Sequence, residues 1–398
     1  MITSIRPEET AARTAHLLSA GLPKSDARAS QRLVQLDVLR GLAILLVLLA
    51  HQVYIPKEPG IFRDFTICLH QFGLSGVDLF FVLSGFLIGG LLLREVKITG
   101  RLDVRRFLIR RGFKIWPAYY VFLCVAFVQL IRHKQLSINS ASSYVPFLFN
   151  LQNYIGPFDL NIHTWSLAVE EHFYLALPIL LWCLLKLRQK KLVKLSLPIS
   201  ILAIMVFCNV CRLFNGAHRS FLITDYTATH LRMDALFWGV LISYAYQHKQ
   251  DLIQRISRHK VLLITVGCSL VSFKFFQERD AWFAFTLGYT ALYFGYGLIL
   301  LAFLELESNS WLMKLVQSGP AKALAFMGLY SYSIYLWHLE FAAPFVIAKI
   351  LPVLPEGLKW PLGMTIYVIL ATISGVIGAR IIEIPVLAIR EKLFPSMV

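Results

Sequence analysis

Arg40 and His51 stand 11 residues apart in a run that is otherwise apolar after Asp37. At 100° per residue, eleven steps end about 20° past three full turns, and at 1.5 Å per residue they span roughly 16 Å. One helix face would then carry a fixed cation at one end and a titratable imidazole at the other, suited to holding an anion and to moving a proton. The bland reading is a snorkelling arginine and a histidine that marks the helix end. A second group lies in Trp165-Ser166-Leu167-Ala168-Val169-Glu170-Glu171-His172-Phe173-Tyr174. Ser166, Glu170 and Tyr174 share a face at i, i+4 and i+8, whereas Glu171 and His172 point roughly 100° and 200° away. Glu170 is therefore the expected central carboxylate. Asp78 and Ser84 lie in a third stretch, and Arg232 sits between His230 and Asp234, an i, i+4 pair whose bland reading is a local ion pair at the helix mouth. Tyr330 to His338 packs Tyr332, Tyr335 and Trp337 into nine residues, too deep a stretch for all of them to be interfacial.

These residues are conspicuous because the chain around them is so apolar. Of its 398 residues, 57% are hydrophobic and 16% charged, with a mean hydropathy of +0.63; soluble domains average about 25% charged. That excludes a soluble enzyme, a disordered protein and, for want of alternating strands, an outer-membrane barrel. Ten apolar segments are expected, at about 33–54, 72–93, 113–132, 165–187, 196–213, 231–247, 261–277, 283–305, 326–349 and 361–381. The fold class is all-α and polytopic. With the N-terminus inside, inner segments hold 27 of the 39 Lys and Arg residues and outer loops hold 10. This positive-inside bias predicts that both termini are cytoplasmic. It also accounts for most of the net charge of +16 without nucleic acid. Residues 1–32 read as a flexible arm, 33–385 as the membrane domain and 386–398 as a tail. The most basic inner loop, Arg94 to Lys114, contains Arg106, Arg110 and Arg111. It suits lipid head groups or a polyanionic cytoplasmic ligand. Five of the six cysteines fall in or at apolar segments and Cys68 in an outer loop; Cys208 and Cys211 read as small buried hydrophobes, and no metal site is expected, since that pair has no companion ligands.

The order of these motifs resembles the acyltransferase-3 family of integral membrane acyltransferases, from about Gln35 to Pro385. The parts that match are Leu36 to His51 with its R-x10-H pair, Gly76 to Ile88, the WSL-x-x-E-x-x-FY stretch at Trp165–Tyr174, Arg232 to Gly239, and Tyr330 to Leu336. Two positions depart from the family pattern: Lys114 stands where a second arginine is usual, and His172 where glutamine is common. About 17 residues follow the tenth segment, so a stand-alone member without an extracytoplasmic esterase domain is expected.

The resemblance implies an O-acyltransferase that takes an acyl group, acetyl in the commonest case, from cytoplasmic acyl-coenzyme A. The acceptor is a hydroxyl of an exported or surface glycan or lipid-linked sugar, and in some members a macrolide-like small molecule. Acyl-coenzyme A is a co-substrate; no permanently bound cofactor and no nucleic-acid partner are implied. Membrane lipid surrounds the protein, in the cytoplasmic (inner) membrane of a bacterium. On this reading His51 is the base or a transient acyl carrier, Glu170 orients it or binds the acceptor, and Arg40 completes the catalytic set. Arg40, Arg106, Arg110, Arg111 and Lys114 contact the coenzyme. Arg232, Asp234, Asp78, Ser84, Tyr332 and Tyr335 bind substrate or steady the oxyanion. The rivals are a transporter, because intramembrane ionisable residues also mark proton relays, and a membrane-bound O-acyltransferase of the other type, in which His338 would be the active histidine.

Overall fold

The computed structural model describes residues 34–132, 142–155, 161–186, 190–217, 224–273, 285–306 and 310–396. The arm expected at 1–32 lies outside them. Among the described residues every regular element is helical. Helix α1 is Val34–Ala50, α2 Ile61–Gly73, α3 Gly76–Thr99, α4 Val104–Arg132, α5 Trp165–Lys186, α6 Lys190–Ala217 and α7 Asp234–His248. They are followed by α8 Lys260–Phe273, α9 Leu287–Leu304, α10 Gly319–Leu329, α11 Ser331–Trp337, α12 Glu356–Gly378 and α13 Ile384–Leu393. Helices suit such a sequence because a bilayer offers no partners to unpaired backbone groups.

Each of the ten expected segments holds a described helix, but they are not equivalent. Among the described residues, seven helices are long and apolar enough to cross a membrane, or up to eight if the pair Gln250–Ser257 and Lys260–Phe273, bent by 83°, forms one span. The first and sixth segments fall short. Helix α1 has 17 residues and α7 has 15, about 26 and 23 Å against a hydrocarbon layer of roughly 30 Å. Both are apolar because they are enclosed by other helices. The ninth segment also divides: α10 ends at Leu329, and the span proper runs from Ser331 to Val353. Most of the expected tail continues the last helix, since α12 passes through a π-helical turn at Ala379–Glu383 into α13.

Close backbone contacts seat the two enclosed helices. Helix α7 packs along α3, and α10 along α1. A Cβ at Gly85 would lie 1.8 Å from the Leu236 carbonyl oxygen, and one at Gly239 2.2 Å from that of Val82. Gly41 and Gly328 play the same part between α1 and α10, each with its Cβ position 1.9 Å from a carbonyl oxygen of the other helix. Within lipid, such small-residue contacts let helices meet closely enough for packing forces to hold them.

Two buried ion pairs tie the bundle further. Asp78 of α3 accepts from Arg232 Nη2 at 2.7 Å, and the side chains are 3% and 4% exposed. The Arg232 guanidinium also lies 3.9 Å from the centre of the Tyr289 ring and 5.3 Å from that of Trp165. Arg212 of α6 grips both oxygens of Asp234, at 3.1 and 2.5 Å, and donates to the Leu231 carbonyl at 2.6 Å. The expected pairing of His230 with Asp234 does not form. His230 meets the Tyr154 hydroxyl at 3.1 Å instead, because Arg212 is fully buried beside Asp234.

Candidate active site

Five helices, α1, α3, α4, α5 and α11, enclose a cavity of about 130 Å³. Helix α1 contributes Asp37 and Arg40, and α4 contributes Arg111 and Lys114 one turn apart. The Arg111 guanidinium rests over the Tyr174 ring, 4.2 Å from its centre. Its Nε is buried with no hydrogen-bond partner among the described residues, so one donor of this wall is left for a ligand. Lys114 lies within the electrostatic reach of Arg40, Arg111, Arg390 and Glu383. Positive charge therefore converges from two helices on one end of the cavity.

The adjoining wall is a hydrogen-bonded network built on α5. Ser166, Glu170 and Tyr174 all face the cavity, as their helical spacing requires. Glu170 accepts from Ser84 Oγ at 2.9 Å and from the Tyr174 hydroxyl at 2.5 Å. Glu171 also reaches the cavity wall, where Trp116 Nε1 donates to it at 3.0 Å. Only one carboxylate was expected there; both fit because the cavity is flanked by α3 on one side of α5 and α4 on the other. Tyr332 lines the cavity while donating to the Ile115 carbonyl at 2.8 Å.

Tyr335 sits where this cavity meets a second cluster. Its hydroxyl donates to the His163 carbonyl and accepts from Ser166 Oγ at 2.6 Å. Beyond it three imidazoles converge. The ring centres of His51 and His338 are 5.0 Å apart, those of His163 and His338 5.3 Å, and those of His51 and His163 6.5 Å. His338 Nε2 lies 3.3 Å from His51 Nδ1. His51 closes the end of α1, its backbone amide donating to Val47 and Leu48. His163 belongs to the 3-10 turn Ile162–Thr164 that leads into α5, and His338 opens a π-helical turn, His338–Ala342, after α11. Among the described residues no group of His, Cys, Asp and Glu has the arrangement of a metal site.

The structure thus sorts the residues singled out by the sequence. It brings together Arg40, Arg111, Lys114, Ser84, Glu170, Tyr332 and Tyr335 around one cavity, with His51 beyond Tyr335. It does not bring Glu170 to His51, because Glu170 is engaged by Ser84 and Tyr174; the imidazole that meets His51 is His338. Asp78, Arg232 and Asp234 do not line the cavity and are held in the two buried ion pairs. Arg106 and Arg110 point to the C-terminus: Arg110 pairs with Glu391 at 2.8 Å and bonds the Phe394 carbonyl, and Arg106 bonds that of Pro395. His163, Glu171 and Arg212 escaped sequence reasoning. For His163 the only signal was its place two residues before Trp165.

Comparison with known proteins adds a further observation. A family model described as an acyltransferase domain, of the acyltransferase-3 type, matches residues 33–380. The protein named O-acetyltransferase OatA in Staphylococcus aureus strain NCTC 8325 is 26% identical over 345 residues, which is 81% of this chain and 54% of that protein. A second Staphylococcus aureus protein, from strain COL and also carrying an O-acetyltransferase name, is 30% identical over 297 residues, 67% of this chain and 45% of its own length. The chain spans about half the length of the curated relatives it matches. No solved structure matches it.

Proposed function

Because the chain belongs to the acyltransferase-3 family, we propose that it is an integral membrane O-acyltransferase that moves an acyl group, acetyl in the first instance, from cytoplasmic acyl-coenzyme A to a glycan hydroxyl. The observation that carries this reading is the joining of two unlike half-sites through Tyr335: a cavity with Arg40, Arg111 and Lys114 in its walls, and an imidazole cluster at the other end of α1. Coenzyme A is a polyanion, and charge-assisted bonds to phosphate are the strong kind. Arg40 and Arg111 are the forked donors suited to it, with Lys114 as a point charge. A hydroxyl acceptor is suggested by the O-acetyltransferase names of the relatives and a glycan by the family; the inner membrane follows from the proposed cytoplasmic donor.

In the proposed chemistry the His51 imidazole takes the proton of the acceptor hydroxyl as its oxygen attacks the thioester carbonyl. The tetrahedral intermediate then collapses, the C–S bond breaks, and the imidazolium returns the proton to the departing thiolate. The products are an ester on the acceptor and free thiol on the donor. Tyr335, whose hydroxyl donates to the His163 carbonyl and accepts from Ser166 Oγ, stands at the passage between donor and base and fastens its two ends together. Glu170, held by Ser84 and Tyr174, shapes the donor cavity.

The test uses membranes that contain the full chain, radiolabelled acetyl-coenzyme A and the endogenous glycan. Alkali-labile label should appear in the glycan fraction and disappear with His51→Ala or Arg40→Ala at equal levels of folded protein. Full transfer by a well-folded His51→Ala protein would overturn the reading.

A further inference from the structure

The hydrogen-bond partners of the paired imidazoles assign their protons. His338 Nδ1 faces only carbonyl oxygens, Tyr335 at 2.7 Å and Ile334 at 3.2 Å. A carbonyl can only accept, so Nδ1 carries the hydrogen and the neutral ring presents Nε2 as an acceptor. That Nε2 lies 3.3 Å from His51 Nδ1. His51 Nδ1 also faces the Val47 carbonyl at 3.0 Å. Both of its neighbours accept, so it too carries the hydrogen, and the His51 lone pair is left on Nε2.

We propose that His338 is the positioning residue of the site: through its Nε2 it fixes the tautomer and ring orientation of His51, so that His51 Nε2 is the reacting nitrogen. This rests on the reading of His51 as the base. A base is commonly oriented by a third group that accepts from its far nitrogen. Here a neutral imidazole takes the place that a carboxylate fills elsewhere, and a backbone carbonyl stands behind it. When His51 gains a proton at Nε2, its Nδ1 hydrogen still points at His338 Nε2 and the Val47 carbonyl, both able to support the developing charge. The arrangement is anchored. His338 is fully buried in the π-helical turn after α11, and such turns recur at functional sites. His163 packs edge-on against it, with the ring planes at 79°. Among the described residues no carboxylate is bonded to His51, and Glu170 is held by Ser84 and Tyr174.

Two near-isosteres separate the two nitrogens. Asparagine places a polar atom near the position of Nδ1, and glutamine near that of Nε2. His338→Asn therefore keeps a donor for the Tyr335 carbonyl and loses the acceptor for His51, whereas His338→Gln keeps the acceptor. The assay is initial-rate transfer from radiolabelled acetyl-coenzyme A to endogenous glycan in membranes, normalised to detergent-extracted monodisperse protein, with His51→Asn as reference. His338→Asn should lower kcat roughly 10²-fold, the scale of general-base assistance, with the KM for acetyl-coenzyme A unchanged. His338→Gln should stay roughly tenfold or more above it. Equal losses in the two folded variants, or a His338→Asn protein that turns over normally beside an inactive His51→Asn protein, would overturn the positioning role while leaving His51 as the base. An active His51→Asn protein would instead remove the reading on which this role rests.

Discussion

The Asp78–Arg232 pair decides whether the charges outside the cavity serve the fold or the substrate. Both side chains are almost wholly buried and 2.7 Å apart. At an effective dielectric constant near 20, their gross attraction is about 6 kcal/mol, most of it offset by the cost of removing both ions from water. Replacing only Asp78 leaves the Arg232 charge buried without its anion. The Tyr289 face, 3.9 Å away, recovers only part of this, about 2 kcal/mol. Removing one partner of a buried pair typically costs 3–5 kcal/mol, about 10²- to 10⁴-fold in a folding equilibrium. Asp78→Ala should therefore sharply lower the temperature at which the detergent-extracted protein loses its monodisperse peak in fluorescence-detected size-exclusion chromatography. The double variant Asp78→Leu/Arg232→Met should recover most of that loss, since well-packed apolar replacements of buried pairs are often neutral or stabilising. It should also retain acyl transfer. A single variant as heat-resistant as the unsubstituted protein would refute the structural reasoning, and a stable but inactive double variant would return Arg232 to the substrate.

Three further outcomes follow from the geometry. Arg111→Ala should raise the KM for acetyl-coenzyme A roughly 10- to 100-fold, the scale of one charge-assisted bond of about 1.5–3 kcal/mol; Arg111→Lys should recover part of it, and an unchanged KM in steady-state assays would remove Arg111 from the donor site. Tyr335→Phe and Ser166→Ala should be non-additive by about 0.5–3 kcal/mol in a double-mutant cycle on thermal stability, because both remove the same hydrogen bond; strict additivity would refute the pairing. Gly85→Ala should fail to give monodisperse protein, because its Cβ would lie 1.8 Å from the Leu236 carbonyl oxygen, whereas Gly357→Ala, with open space around it, should behave normally.

What the sequence disclosed was whatever depends on one helix at a time. Arg40, the pair Arg111 and Lys114, and the face Ser166–Glu170–Tyr174 reach the cavity because 3.6-residue spacing dictates it once the helix is known. The family resemblance, carried by the same short stretches, was borne out by the match over residues 33–380. What it did not disclose was which helix stands opposite. Asp234 had a plausible local partner in His230, yet it bonds Arg212 from α6. Glu171 pointed away from the favoured face but meets the cavity from the side of α4. Two of the expected spans are helices shorter than a hydrocarbon layer, and their apolar composition could not set their length, because apolar residues are required equally by lipid and by a protein interior.

The separation of charge from imidazole is itself the main argument for how the site works. A base among the cavity cations would sit beside Arg40, Arg111 and Lys114, whose fields favour the unprotonated ring and oppose the proton uptake that catalysis needs. Placing His51 at the far end of α1 removes it from those charges, by roughly 16 Å along the helix from Arg40. The same spacing demands a donor that can be held at one end and react at the other, as a phosphate-bearing group on an extended thioester arm can. Tyr335 stands between the two ends, fastened to the turn that carries His163 and to Ser166 on the cavity wall. On the proposed reading, a donor arm that reaches from the cations to His51 runs past this hydroxyl, which joins the two half-sites through His163 and Ser166.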